Sequence, residues 1–155
     1  MNDNKVSEVT KTPRFILVLF FIQLFVFIFF LNKENKMDLE IFYILIPVTL
    51  LLTLSFLKVV FKKDNLEYQL FPIHIKPQKA YWNEMENIKI VKIDAISDFL
   101  GWGLRYSRKY GWGYILGNDN AVFITFKNGK KITFTIKNKE NIISFLKDNN
   151  IPFNQ

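Results

Sequence analysis

The sequence predicts an α+β membrane protein: a transmembrane helical hairpin followed by a small seven-stranded β-barrel or sandwich with a C-terminal capping helix. Three observations carry that expectation. Two apolar runs near the N-terminus hold no charge. From residue 62 onward, short segments alternate apolar and polar residues. After Asn138 the period changes to that of an amphipathic helix. Composition narrows the function classes further. The 155 residues include no Cys and one His, which excludes a disulfide framework and thiolate chemistry and leaves no His-rich metal site.

The first run, from Phe15 to Leu31, reads FILVLFFIQLFVFIFFL, and Gln23 is its one strongly polar residue. Seventeen helical residues span about 25 Å, slightly short of a hydrocarbon core of about 30 Å. A secretory signal fits less well, because the run is longer than a typical signal core and no small-residue cleavage site follows. The second run, Ile41 to Leu57, lies between Glu40 and Lys58, and Val59-Val60-Phe61 extends it. The expected helices are therefore 15–31 and about 39–61, behind an N-terminal arm of residues 1–14. Basic residues set the orientation. Lys5, Lys11 and Arg14 precede the pair, and Lys58, Lys62 and Lys63 follow it. The connecting loop has only Lys33 and Lys36, offset by Glu34, Asp38 and Glu40. Both termini are then cytoplasmic. Lys58, Lys62 and Lys63 become juxtamembrane lipid contacts, each gaining about 1 kcal/mol from anionic lipid. An amide at mid-bilayer needs a partner. Gln23 lies level with Pro47, which frees the Tyr43 carbonyl, and Thr49 is one turn away; an interhelical contact is expected rather than a transport role.

Seven strands are expected in the remaining domain, residues 62–155: near 66–71, 73–76, 88–93, 102–106, 110–116, 121–126 and 131–136. Asn138 is a good N-cap for a helix over 138–149, with Ile142, Phe145 and Leu146 on one face. Asn128-Gly129 suggests a two-residue hairpin turn, but that would pair Phe126 with Lys131, core against solvent. Keeping Val122, Ile124, Phe126, Ile132, Phe134 and Ile136 on one face requires an odd loop; a three-residue loop, 127–129, with Gly129 left-handed, satisfies this and sets Ile124 opposite Ile132. Gly101-Trp-Gly-Leu-Arg-Tyr106 and Gly111-Trp-Gly-Tyr-Ile-Leu116 form a near-repeat. Pairing Tyr106 with Tyr110 across Ser107-Arg-Lys109 sets Leu104 against Trp112, Trp102 against Tyr114 and Gly103 against Gly113. One face is then aromatic and reads as core. The other is glycine-rich and open to another backbone, a headgroup or a partner.

The stretch Leu66 to Pro72, then Trp82-Asn-Glu-Met-Glu-Asn-Ile88, Gly101-Trp-Gly-Leu-Arg105, Gly117 and Lys127-Asn-Gly-Lys-Lys-Ile132 resembles the small bacterial membrane proteins with a pleckstrin-homology-like (PH-like) domain behind two transmembrane helices. The family usually has Ile-Gly-Thr where this chain has Phe134-Thr-Ile136. The resemblance implies a PH-like architecture and an integral, multi-pass place in the bacterial cytoplasmic membrane. It implies no chemistry.

The residues themselves point to no enzyme and no cofactor. Five of the six Gly lie between 101 and 117, yet Tyr106 and Leu116 stand where a dinucleotide fingerprint needs its third glycine, and no Walker-type sequence occurs. His74 has no metal-ligand neighbour at the right spacing and reads as a surface strand histidine. Asp94 and Asp98 read as solvated loop carboxylates. Residues 62–155 carry fifteen Lys/Arg against nine Asp/Glu. The aromatic residues are assigned to the core and no RNP-like motif occurs, so nucleic acid is not the expected partner. Two functions remain. One is a non-enzymatic scaffold or protein-interaction module at the membrane, whose partner is another membrane protein or a second copy. The alternative is a sensor of anionic lipid headgroups or a phosphate ligand, through Arg105, Arg108 and Lys109.

Overall fold

The structure is a computed structural model that describes residues 5–31 and 40–154. The chain forms two compact units, one built from residues 12–55 and the other from the segments before and after them.

The first unit pairs helix α1 (Arg14–Leu31) with helix α2 (Glu40–Leu54). At 1.5 Å per residue, 18 and 15 residues extend about 27 and about 22 Å, short of a hydrocarbon core of about 30 Å. Among the described residues, no helix is long and apolar enough to cross a membrane. This corrects the expected transmembrane hairpin, together with the multi-pass location and the orientation built on it. The loop residues Lys33, Lys36, Glu34 and Asp38 lie outside the described residues. Helix α2 stops at Leu54, where several hydroxyls gather, well before Phe61. The Thr53 hydroxyl donates to Leu50 O (2.7 Å), and the Ser55 hydroxyl donates to Leu51 O (2.9 Å). Thr12 Oγ1 lies 2.8 Å from Leu52 O and 3.1 Å from Ser55 O. Hydroxyls thus add bonds to carbonyls of the last two turns of the helix.

Among the described residues, the second unit holds nine strands in two sheets, which corrects the expected seven-stranded barrel. The first sheet runs β1-β2-β3-β4 and is antiparallel throughout: β1 (Lys5–Lys11), β2 (Phe56–Lys62), β3 (Asn65–Phe71) and β4 (Gln78–Tyr81). Residues 56–61, expected to continue the second helix, instead form β2. Leu57, Val59 and Phe61 alternate inward there, and Val60 is buried as well. The N-terminal arm supplies β1. Segment 73–76 is a turn, not a strand: His74 N donates to Leu70 O at 2.7 Å, and Gln69 Nε2 donates to His74 O and Ile75 O.

The other sheet runs β5-β8-β9-β7-β6: β5 (Met85–Lys92), β6 (Gly103–Ser107), β7 (Gly111–Ile115), β8 (Asn120–Phe126) and β9 (Lys131–Thr135). All its pairs are antiparallel except β7 with β9, which are parallel. The β8–β9 hairpin has the expected register. Ile124 faces Ile132, Phe126 N donates to Lys130 O at 2.8 Å, and Gly129 closes the three-residue loop at φ +80°.

The main core joins both sheets. Leu57, Phe61, Leu66 and Leu70 cluster with Ile88, Ile124, Ile132 and Phe134, and with Ile142 and Leu146 of helix α4 (Lys139–Asp148). Asn138 caps α4 by accepting from Asn141 N. Glu8 of β1 adds a tie just ahead of it: its carboxylate accepts from Lys137 N (2.7 Å) and Asn138 N (2.8 Å). A smaller core of Ile93, Phe99, Tyr110, Ile115 and Ala121 lies under the short helix α3 (Ala95–Phe99). Asp94 caps α3. Hydrogen bonds from Ser97, then Ile96, hold its carboxyl below its usual range, while Asp98 Oδ2 accepts from Asp94 N. The two carboxylates therefore serve the backbone of a helix turn.

Candidate functional site

The Gly-Trp-Gly near-repeat forms an antiparallel ribbon, but two residues out of the expected register. Ser107 faces Gly111, Tyr106 faces Trp112, Arg105 faces Gly113, Leu104 faces Tyr114 and Gly103 faces Ile115. The loop is 108–110 instead of 107–109. Ser107 Oγ accepts from Tyr110 N (3.4 Å), and Tyr110 turns into the α3 core beside Phe99 and Phe123. Burying that ring under α3 outweighs the Tyr106–Tyr110 pairing the repeat suggested.

The two ribbon faces also differ from expectation. On β7 the glycine face is covered by the chain itself, whereas Gly103 on β6 has open space where a Cβ would be. A Cβ on Gly113 would collide with the Phe99 ring, and one on Gly111 with the Lys131 carbonyl. Both glycines are buried because another part of the same chain approaches closely there. The aromatic face divides along its length. Tyr114 packs on Tyr68 (5.0 Å) and Phe134 (5.1 Å) in the main core. Burial, then the neighbouring Tyr68, pushes its phenol well above the usual range. At the other end, Tyr106 is 61% exposed and Trp112 is 46% exposed. Their rings meet edge to face at 5.5 Å and 68°.

Beside that exposed pair lies an open cleft of about 350 Å³, lined by Tyr106, Arg108, Gly111, Trp112, Gly129, Lys130 and Lys131. The parallel pairing of β7 with β9 assembles it. Trp112 stands opposite Ile132, which places the start of β9 and the 127–129 turn next to the start of β7. The lining has three cations and no carboxylate.

The residues singled out from the sequence scatter. Arg108 lines the cleft. Arg105 folds back instead, its Nε donating to Trp102 O at 3.1 Å, with its guanidinium near Gly101. Lys109 lies over the Tyr110 ring at 4.6 Å; a hydrogen bond to Tyr110 and then its charge hold the ammonium above its usual range. Lys58 and Lys62 project from β2 and Lys63 follows it, so none marks the exit of a helix; Lys62 pairs with Glu67 at 2.7 Å. Gln23 does bridge the two helices. Its Oε1 lies 2.8 Å from Thr49 Oγ1, which is also 2.8 Å from Leu45 O. One hydroxyl proton serves both contacts when the Gln23 amide is turned so that its N–H donates to Thr49 and Thr49 donates to Leu45. Thr49, two residues beyond Pro47, is thus the partner, and Pro47 lies inside α2.

Lys130 and Lys131 were missed as site residues. Their turn was legible, but only the parallel β7–β9 pairing brings it to the ribbon. Among the described residues, no group of three or more His, Cys, Asp or Glu could hold a metal ion. Comparison with protein-family models and with curated proteins gives no match.

Proposed function

We propose that the chain is a non-enzymatic protein-interaction module, a scaffold whose β unit docks an acidic segment of a partner protein on the β6–β7 ribbon. One observation carries this reading: the solvent-exposed Tyr106–Trp112 pair beside Arg108. Trp, Tyr and Arg are the residues most enriched among interface positions that dominate binding energy, because each combines a large rigid contact area with a polar handle. A photo-reactive side chain at position 106 of the full chain, expressed in its own cell, tests it. Cross-linking to a partner protein should fall with rising salt and disappear with Trp112→Ala. The same cross-linked bands with and without Trp112→Ala would overturn the proposal.

A second reading, a sensor for a phosphate-bearing ligand, is favoured by a different observation. The cleft wall carries Arg108, Lys130 and Lys131 with no carboxylate to neutralise them. Such a surface attracts dianions, and a guanidinium can grip phosphate oxygens bidentately.

A further inference from the structure

Resting on the sensor reading, we infer that the β6–β7 cleft takes a phosphate monoester carried next to a planar ring. The cleft has two chemically different walls. Lys130 and Lys131, adjacent in sequence at the start of β9, and Arg108, at the ribbon tip, supply positive charge from two chain segments. Trp112 and Tyr106 supply exposed aromatic surface on the same rim. The cations reach a phosphate through charge-assisted hydrogen bonds, and the indole offers a face for stacking. Neither wall explains the other. A plain phosphate site needs no exposed indole, and an apolar contact needs no cluster of three cations without a counter-charge.

The floor of the cleft is fixed where it matters. Gly111 lies so close to the Lys131 backbone that no side chain fits there, which holds the start of β7 against the start of β9 beneath Trp112 and the two lysines. Gly129 has open space where a Cβ would be and a left-handed backbone (φ +80°), so the turn presents Lys130 without a neighbouring side chain in the way. A volume of about 350 Å³ is at the small end for ligand pockets, of the size a single ring with one phosphate needs. Two sources share this chemistry: a mononucleotide and an aryl phosphate such as a phosphotyrosine side chain.

Titration of the full chain, followed by the Trp112 indole N–H resonance at constant ionic strength, tests the inference with four probes: phenyl phosphate, adenosine monophosphate, inorganic phosphate and phenol. One of the two ring phosphates should bind about tenfold or more tightly than inorganic phosphate or phenol, since a stacked ring contributes that much. The tighter of the two identifies the source. Lys130→Ala with Lys131→Ala, and separately Arg108→Gln, should each weaken binding about tenfold, and Arg105→Gln should leave it unchanged. Arg108 projects from a turn tip, so that variant stays informative even if the lysine pair disturbs β9. Inorganic phosphate binding as tightly as the ring phosphates would overturn the ring requirement while leaving the sensor reading intact. No binding of any anion would overturn both.

Discussion

The two units of this chain solve the burial problem in opposite ways. In the β unit, the strands turn most of their apolar side chains inside and their charges outside. Leu57, Phe61, Phe134 and Leu146 are inaccessible, while Lys58, Lys89, Lys127 and Lys137 face solvent. The helical pair is the reverse. Phe21, Phe25, Tyr43 and Ile44 are each more than 50% exposed, and the polar contact, Gln23 with Thr49, lies between the helices. A single 50% apolar fraction hides both arrangements. What separates them is period. The strands alternate and so have one face to bury, whereas α1 and α2 are apolar on all sides and bury only a stripe against each other.

The largest expected effect sharpens that contrast. Phe134→Ala removes a ring with no exposure from a core shared by both sheets. It should lower unfolding free energy by about 3–5 kcal/mol, the cost of lost burial plus a cavity. Phe25→Ala, at 71% exposure, should change it by less than about 0.5 kcal/mol. Urea unfolding of both variants checks the pair; equal losses would break the comparison. Gly113→Ala comes next. Its new methyl meets the Phe99 ring, so a loss of about 1–3 kcal/mol is expected from overpacking, read as a shift in the urea midpoint. A neutral outcome would mean that α3 moves freely off β7.

How much of this was legible follows the same division. The β8–β9 register could be deduced because parity excludes the two-residue turn: six inward apolar residues on two strands fix an odd loop, and Gly129 as a left-handed bulge selects three residues. The C-terminal helix was legible from Asn138 and the spacing of Ile142, Phe145 and Leu146. Strand β2 was not. Phe56-Leu-Lys-Val-Val-Phe61 follows an apolar helix without Gly or Pro, and a short apolar run looks the same in either structure until its partners are known. Strand β1 lies in the segment expected as an N-terminal arm; Val6 and Val9 are its only apolar residues, and its alternation of Val6, Glu8 and Thr10 gains meaning only against β2. The site was half legible. Arg108 was identified, but Lys130 and Lys131 join it through a parallel pairing that leaves no local mark. The ribbon register slipped because Tyr110, nominally a strand residue, gains more by burial under α3.

Two smaller effects compare how the units use a polar group. Glu8→Gln keeps the shape but removes the charge that two backbone N–H groups ahead of α4 point at. A loss of about 1 kcal/mol is expected, with faster amide exchange at Lys137 and Asn138. Thr49→Val leaves Gln23 without its partner between the helices. A loss of up to about 1 kcal/mol is expected, since the amide must find another acceptor or donor. Exchange at α1 amides is the readout. If it stays unchanged while the Glu8 variant responds, the helical pair rests on packing alone.

The last and smallest effect concerns His74, the one titratable group near neutral pH that touches the main core. Its ring lies 5.9 Å from that of Tyr68 and 5.5 Å from that of Tyr114, and its Nδ1 accepts from Leu70 N at 3.4 Å. An accepting nitrogen requires the neutral ring, and partial burial holds the imidazole below its ordinary value of 6.5. Burial raises both tyrosines, so neither charges in the acidic range. Below pH 6.5 the unfolded chain takes up a proton that the folded chain resists. The stabilisation is therefore complete above that pH and is lost as pH falls through the lower folded value. The urea midpoint should decline on acidification across this window, and His74→Phe should remove the part of the decline that begins near 6.5, leaving the carboxylate-driven part at lower pH. A midpoint that rises on acidification in the parent chain, or a decline identical in both, would show that the ring is solvated when folded and that this edge of the core is open to water.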